Sequence, residues 1–84
     1  MSRKLYEIAG EAENDMRAIK GKSASQGYPY AWPYLLAMRD MENIRENYYE
    51  DSGKSVVLYF LANVGQWRGD VARRIKLELK ELVK

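Results

Sequence analysis

The C-terminal part of the chain carries the apolar pattern that most restricts the fold. Between residues 67 and 83, large apolar side chains recur at steps of three or four, with charged residues at most of the positions between them. That spacing places one apolar stripe along an α-helix. The stripe consists of Trp67, Val71, Ile75, Leu79 and Leu82. We therefore predict a helix over about residues 67–83 that packs by this stripe against a core.

Three further segments favour helices, so the sequence predicts an all-α fold. Residues 2–20 repeat apolar side chains at helical steps, and residues 33–49 do so after Pro33, which suits the first turn of a helix. Residues 53–64 are apolar on every side and would have no partner as a strand, which favours a short buried helix. We predict a small single helical domain over residues 1–84, a four-helix bundle-like array with a buried, central third helix.

The composition argues against an enzyme. The 84 residues suffice for one domain with a modest core. The chain has no cysteine, which excludes a disulfide, a thiolate nucleophile and a thiolate metal site. It also has no histidine, the commonest general base near neutral pH and the commonest metal ligand. We expect a non-enzymatic protein with no catalytic residue, no metal site and no cofactor.

The hydropathy pattern predicts a cytoplasmic protein without a membrane partner. The longest apolar run, residues 56–62, is far too short to cross a bilayer. The first residues, MSRKLYE, reach charged side chains at once, unlike a secretory signal.

The tripeptide Gly-Lys-Ser, which ends the phosphate loop of nucleotide-binding proteins, occurs at residues 21–23 and 53–55. A phosphate loop also needs a glycine five positions earlier, between a strand and a helix. Met16 and Tyr48 occupy those two positions. The sequence therefore predicts no nucleotide site at either copy.

Both copies are predicted to mark helix boundaries instead. Gly21 can close the first helix in the left-handed conformation. Ser52 or Asp51 can cap the third helix by accepting hydrogen bonds from its free backbone amides.

An aromatic cluster precedes the second helix, and two interpretations of it remain open. Tyr28, Tyr30, Trp32 and Tyr34 could stack on nucleic-acid bases or line a peptide groove. They could instead close one end of the core while their polar tips reach water, which is the usual arrangement at a loop-to-helix junction. We keep Tyr28, Tyr30 and Trp32 as candidate contacts.

The last helix carries a basic stripe opposite its apolar one. At about 100° per residue, four cations fall together and Leu77 lies in their midst. The four cations are Arg73, Lys76, Lys80 and Lys84. This face is either ordinary solvated surface with one stray leucine, or a contact face for a subunit, an acidic protein or a nucleic-acid backbone.

The charge distribution gives only mild support to nucleic-acid binding. Residues 67–84 hold six basic and three acidic groups, a local charge of +3 within a chain whose net charge is +2. A committed nucleic-acid binder carries a more strongly basic face. The last two helices, with Gly65 between them, could also form a DNA-reading helix-turn-helix, and the sequence leaves this open.

Two stretches resemble a known family. DSGKSVVLYFLANVGQWRGDVARRIKLELKEL, residues 51–82, and YEIAGEAENDMRAIKGKSA, residues 6–24, are similar to small uncharacterised proteins encoded by tailed phages, including phages of marine bacteria. The resemblance implies a protein that acts inside an infected bacterium, and it brings no activity, cofactor or binding residue. It also implies that relatives carry alanine at the position of Gly53, so we expect Gly53 to be a tolerated helix-start residue and not a phosphate-loop glycine.

The function expected from these observations is that of a small interaction or accessory protein. A homodimer is favoured by the apolar third helix, which three short helices would not fully cover, and by Leu77 on an outer face. The alternative is a nucleic-acid-binding protein that uses the basic stripe of the last helix.

Overall fold

The computed structural model describes residues 3–49 and 51–84, and its architecture confirms the all-α prediction. The first helix, α1, spans Leu5–Lys20. It ends as predicted at Gly21, which has φ 69° and whose N–H donates to the Arg17 carbonyl oxygen at 2.8 Å. The predicted start near residue 2 differs from the observed start at Leu5; residues 1 and 2 lie outside the described part of the chain.

A short helix and a longer one follow α1. The helix α2 spans Ala24–Gly27, within the segment predicted to be a loop, and α3 spans Trp32–Met38. Pro33 lies in the first turn of α3, as predicted.

The helix predicted over residues 33–49 corresponds to α3, and its predicted end at residue 49 is wrong. Competing hydrogen bonds end α3 at Met38. The Glu46 carboxylate accepts the backbone N–H groups of Glu42 and Asn43, at 2.6 and 2.9 Å. The carbonyl oxygens of Met41 and Glu42 accept N–H groups from the first turn of α1, at 3.0 and 2.9 Å. These partners replace the i to i−4 bonds that a continuing helix would need.

A short antiparallel hairpin follows this turn. Its strands, β1 (Asn47–Tyr48) and β2 (Asp51–Ser52), pair Asn47 with Ser52. The strands are two residues each, so the hairpin serves as a connector within a helical protein.

The helix α4 spans Gly53–Ala62 and begins as predicted at Ser52. The Ser52 hydroxyl accepts the Ser55 N–H at 3.1 Å, which caps the helix. Gly53 is the helix-start residue, as predicted, but the neighbouring backbone leaves no room for the alanine that the resemblance implies in relatives. A β-carbon there would lie 2.7 Å from the Ile44 α-carbon and 2.8 Å from its carbonyl oxygen, because the two backbone segments pack directly together.

The last helix, α5, spans Asp70–Leu82, three residues shorter at its start than predicted. Gly69 has φ 118°, a backbone conformation that interrupts the helical path before Asp70. Trp67 therefore packs from the connection before α5 rather than from the helix itself, and it is fully buried.

One contiguous apolar cluster joins these elements. α1 is the helix against which α2, α3 and α5 pack, whereas α4 packs mainly against α3 and the hairpin. The helix predicted over residues 53–64 corresponds to α4, and the prediction that it is buried at the centre is corrected. α4 buries Gly53, Val56, Val57 and Phe60 along one face only. Its other face reaches solvent because no described element covers it.

Candidate functional site

The exposed side of α4 carries large apolar side chains. Leu58 is 46% exposed and Tyr59 is 51% exposed. Ala62, one turn after Leu58, is exposed as well. The Tyr59 ring lies beside that of Tyr34 on α3, with ring centres 5.5 Å apart. Lys54 is the one residue of α4 that carries a charge at neutral pH. We call Leu58, Tyr59 and Ala62 the α4 surface.

A groove continues from the C-terminal end of the α4 surface. Its volume is about 390 Å³ and every residue that lines it is uncharged. One wall is formed by residues 27–30, the aromatic loop, and the other by Ala62, Asn63, Gly65 and Gln66. The Asn63 side-chain amide donates to the Tyr59 carbonyl oxygen at 2.8 Å, which fixes the groove wall to α4.

The predicted aromatic contacts separate into different environments. Tyr28 is buried, and Lys20 Nζ lies 5.2 Å from its ring centre. Burial, with a smaller effect of the Asp15 charge, raises the pKa of the Tyr28 phenol. Trp32 is half-buried against the core, whereas Tyr30 is 81% exposed beside the groove. Of the three, Tyr30 is the residue best placed to contact a partner.

The basic stripe of α5 is partly engaged within the protein. Lys76 Nζ donates to the Trp67 carbonyl oxygen at 2.6 Å, and desolvation followed by the charges of Lys80 and Arg68 lowers the pKa of Lys76. Arg73 lies 3.4 Å from an Asp70 carboxylate oxygen, and Lys84 lies 3.4 Å from one of Glu81. Lys80 forms no ion pair with the residues that the structure describes.

Leu77 is 58% exposed in the middle of this stripe, as predicted. Its helical neighbours Arg73, Arg74 and Lys80 are charged and exposed. The apolar surface at Leu77 is therefore confined to one side chain, in contrast to the α4 surface.

The geometry of α4 and α5 differs from a helix-turn-helix. The seven residues 63–69 separate the two helices, whereas the turn of that motif has three or four. In addition, α5 packs mainly against α1. The structure therefore does not support a helix-turn-helix formed by α4 and α5.

Both Gly-Lys-Ser copies lie at helix boundaries, as predicted. Gly21 closes α1, and Gly53 is the first residue of α4 after its Ser52 cap. The carboxylates of residues 3–49 and 51–84 form no group of three that could hold a metal ion. Among the helices of the same residues, none has the length and apolar character needed to cross a membrane.

Comparison of the chain with protein-family models, with curated proteins and with solved structures finds no match.

Sequence reasoning missed Leu58, Tyr59 and the groove. Because α4 is apolar on every side, its sequence has no polar stripe to indicate which residues face outward. The exposure of Leu58 and Tyr59 depends on where α3 and the hairpin pack.

Proposed function

We propose that this chain is a small, non-enzymatic interaction protein that pairs with a second copy of itself through the α4 surface. As the family resemblance implies, we place it as an accessory protein in the cytoplasm of a phage-infected bacterium. The main observation that supports self-association is that α4 presents Leu58 and Tyr59 to solvent, each about half exposed, on a helix without an acidic residue.

Burying such a surface removes apolar area from water with little charge to desolvate. Each Å² of apolar area contributes about 25 cal/mol. Lys54 lies one turn before Leu58, at the N-terminal end of the helix, where its flexible side chain can stay in water.

A second copy of the chain suits this surface because the surface carries no charge. A two-fold axis brings identical patches together, so a patch rich in one charge would repel itself. The α4 surface and the adjoining groove avoid that repulsion because none of their residues is charged. In an antiparallel crossing, Leu58 of each copy would lie opposite the small Ala62 of the other, as large and small residues alternate in packed helices.

Analytical ultracentrifugation over a concentration series tests this proposal with a matched pair of substitutions. Leu58→Glu is expected to raise the dimer dissociation constant at least about tenfold, because it buries an unpaired carboxylate at the interface. Leu77→Glu makes the same chemical change at an exposed leucine of α5 and should leave the dimer intact.

Two outcomes would contradict the proposal. A wild-type chain that stays monomeric at high micromolar concentration excludes self-association. If Leu77→Glu disrupts the dimer and Leu58→Glu does not, the interface lies on α5 instead of α4. Denaturation of both variants in urea distinguishes loss of the interface from loss of the fold.

Nucleic-acid binding through the basic stripe is the second candidate. Lys80 favours it, because this exposed cation forms no ion pair with any described residue. The nearby carboxylates of Asp70 and Glu81, beside Arg73 and Lys84, reduce the net charge of the stripe.

A further inference from the structure

Three cations converge on one hollow at the connection between α4 and α5. The hollow has a volume of about 270 Å³ and is lined by Trp67, Arg68, Gly69, Arg73 and Lys76. The three lining residues with ionisable side chains, Arg68, Arg73 and Lys76, are all cations. The volume lies just below the roughly 300 Å³ at which pockets for drug-sized molecules begin, so a small ligand suits it better than a cofactor.

We propose that this hollow binds a phosphate-type oxyanion, with Arg68, Arg73 and Lys76 as its ligands. The proposal is independent of the self-association proposed for α4, which involves other residues.

Lys76 is already held in position for this role. Its ammonium group donates one hydrogen bond, to the Trp67 carbonyl oxygen at 2.6 Å, and also lies 5.9 Å from the Trp67 ring centre. An ammonium has three N–H donors, so two remain for a ligand. Because Trp67 is fully buried, its carbonyl oxygen gives Lys76 a fixed anchor.

The surrounding charges favour an anion. Arg68 and Lys80 both act on Lys76 to lower its pKa, after the larger effect of desolvation. No carboxylate among the described residues forms an ion pair with Arg68 or Lys76. A bound oxyanion would relieve this repulsion between like charges.

Asp70 is an acidic residue next to the hollow, and it competes weakly for Arg73. The Asp15 carboxylate is already engaged as the acceptor of the Trp67 indole N–H. The Asp70 side chain is 99% exposed and lies 3.4 Å from Arg73 Nη1. An exposed pair of this kind contributes little, so a phosphate can draw Arg73 away from it. The planar guanidinium groups of Arg68 and Arg73 can each donate two parallel hydrogen bonds to a phosphate.

Titration of the full chain with sodium phosphate, followed by ¹H–¹⁵N NMR, tests the proposal. Sodium chloride at the same ionic strength controls for screening. We expect saturable shifts of the backbone amides of residues 67–70 and of the Trp67 indole at millimolar phosphate, and no saturation with chloride.

Arg68→Gln is the decisive variant, because Arg68 is exposed and its side chain forms no hydrogen bond or ion pair with the described residues. It should raise the apparent dissociation constant for phosphate at least about tenfold, since charge-assisted hydrogen bonds are the strong ones. Lys54→Gln, which removes an exposed cation of α4, should leave it unchanged. Lys76→Gln adds a second measurement, with its fold checked by the NMR spectrum.

Absence of saturation, equal shifts with chloride, or an equal effect of Arg68→Gln and Lys54→Gln would each overturn the proposal. A short DNA duplex at the same phosphate concentration distinguishes the source of the ligand. Arg68-dependent binding of the duplex with higher affinity than free phosphate would identify a nucleic-acid phosphate as the oxyanion, and comparable or weaker binding would identify a small phosphate compound.

Discussion

The Trp67 indole Nε1–H donates a hydrogen bond to the Asp15 carboxylate at 2.8 Å, across 52 positions of sequence. This bond ties the connection before α5 to α1 and satisfies the polar atom of a fully buried tryptophan.

Asp15→Ala is therefore expected to lower the free energy of unfolding by about 1–3 kcal/mol, because it leaves a buried donor without a partner. Urea denaturation followed by tryptophan fluorescence measures the change. Asp40→Ala removes an exposed carboxylate that forms no hydrogen bond or ion pair with the described residues, and it should change stability by less than about 0.5 kcal/mol. Equal effects of the two substitutions would show that the bond does not contribute.

Two glycine-to-alanine substitutions should have opposite effects on stability. Gly53→Ala would place a β-carbon against the Ile44 backbone, so we expect a loss of about 1–3 kcal/mol. Gly10→Ala adds a β-carbon inside α1 with no atom of another segment within 4 Å, and should gain about 0.5–1 kcal/mol through its better helix propensity. Thermal unfolding measures both. An unchanged midpoint for Gly53→Ala would contradict this prediction and show that the Ile44 segment can shift to accommodate alanine.

A network of four charged residues between α1, its preceding segment and α5 should make the fold sensitive to acid. Glu11 accepts a hydrogen bond from Arg74, and its other carboxylate oxygen lies 2.8 Å from Arg3 Nη1. Arg3 also contacts the Glu78 carboxylate at 2.7 Å. The hydrogen bond from Arg74, with a smaller contribution from Arg3, lowers the pKa of Glu11 below its usual value of 4.5.

Because the folded-state pKa of Glu11 lies below the unfolded value, its stabilisation is present above about pH 4.5 and is lost as the pH falls through the folded value. Glu11→Gln should therefore be less stable than the wild type at neutral pH, with a difference that narrows in acid. Urea denaturation along a pH series measures this. Glu81→Gln, at the exposed Lys84–Glu81 pair, is the control and should leave the pH profile unchanged. A constant difference for Glu11→Gln at every pH would contradict the prediction.

Binding to duplex DNA should be weak and strongly dependent on salt. If the basic stripe contacts phosphates, each contact contributes a slope of about −0.9 to the dependence of log K on log salt concentration. Asp70 and Glu81 lie beside Arg73 and Lys84 and reduce the net positive charge of the stripe, so we expect a small slope and loss of binding near physiological salt. Fluorescence anisotropy with a labelled duplex measures it. Tight binding at physiological salt that Lys80→Gln weakens would favour the nucleic-acid alternative.

The sequence by itself determined the elements whose signals are local. Apolar side chains at helical steps, followed by Gly21, predicted α1 and its end, and the stripe through Val71, Ile75 and Leu79 predicted α5. The Ser52 cap was also visible, because its acceptor and its donor are three positions apart.

Only the tertiary structure decided where α3 ends and which residues reach solvent. Its end depends on carbonyl groups at residues 41 and 42 that accept bonds from the start of α1, more than thirty positions earlier. The exposure of Leu58 and Tyr59, and the convergence of Arg68 with Lys76, likewise depend on how separate elements pack. Helical periodicity records only neighbours within a few positions, so it identifies helices but leaves open which of several apolar faces the rest of the chain will cover.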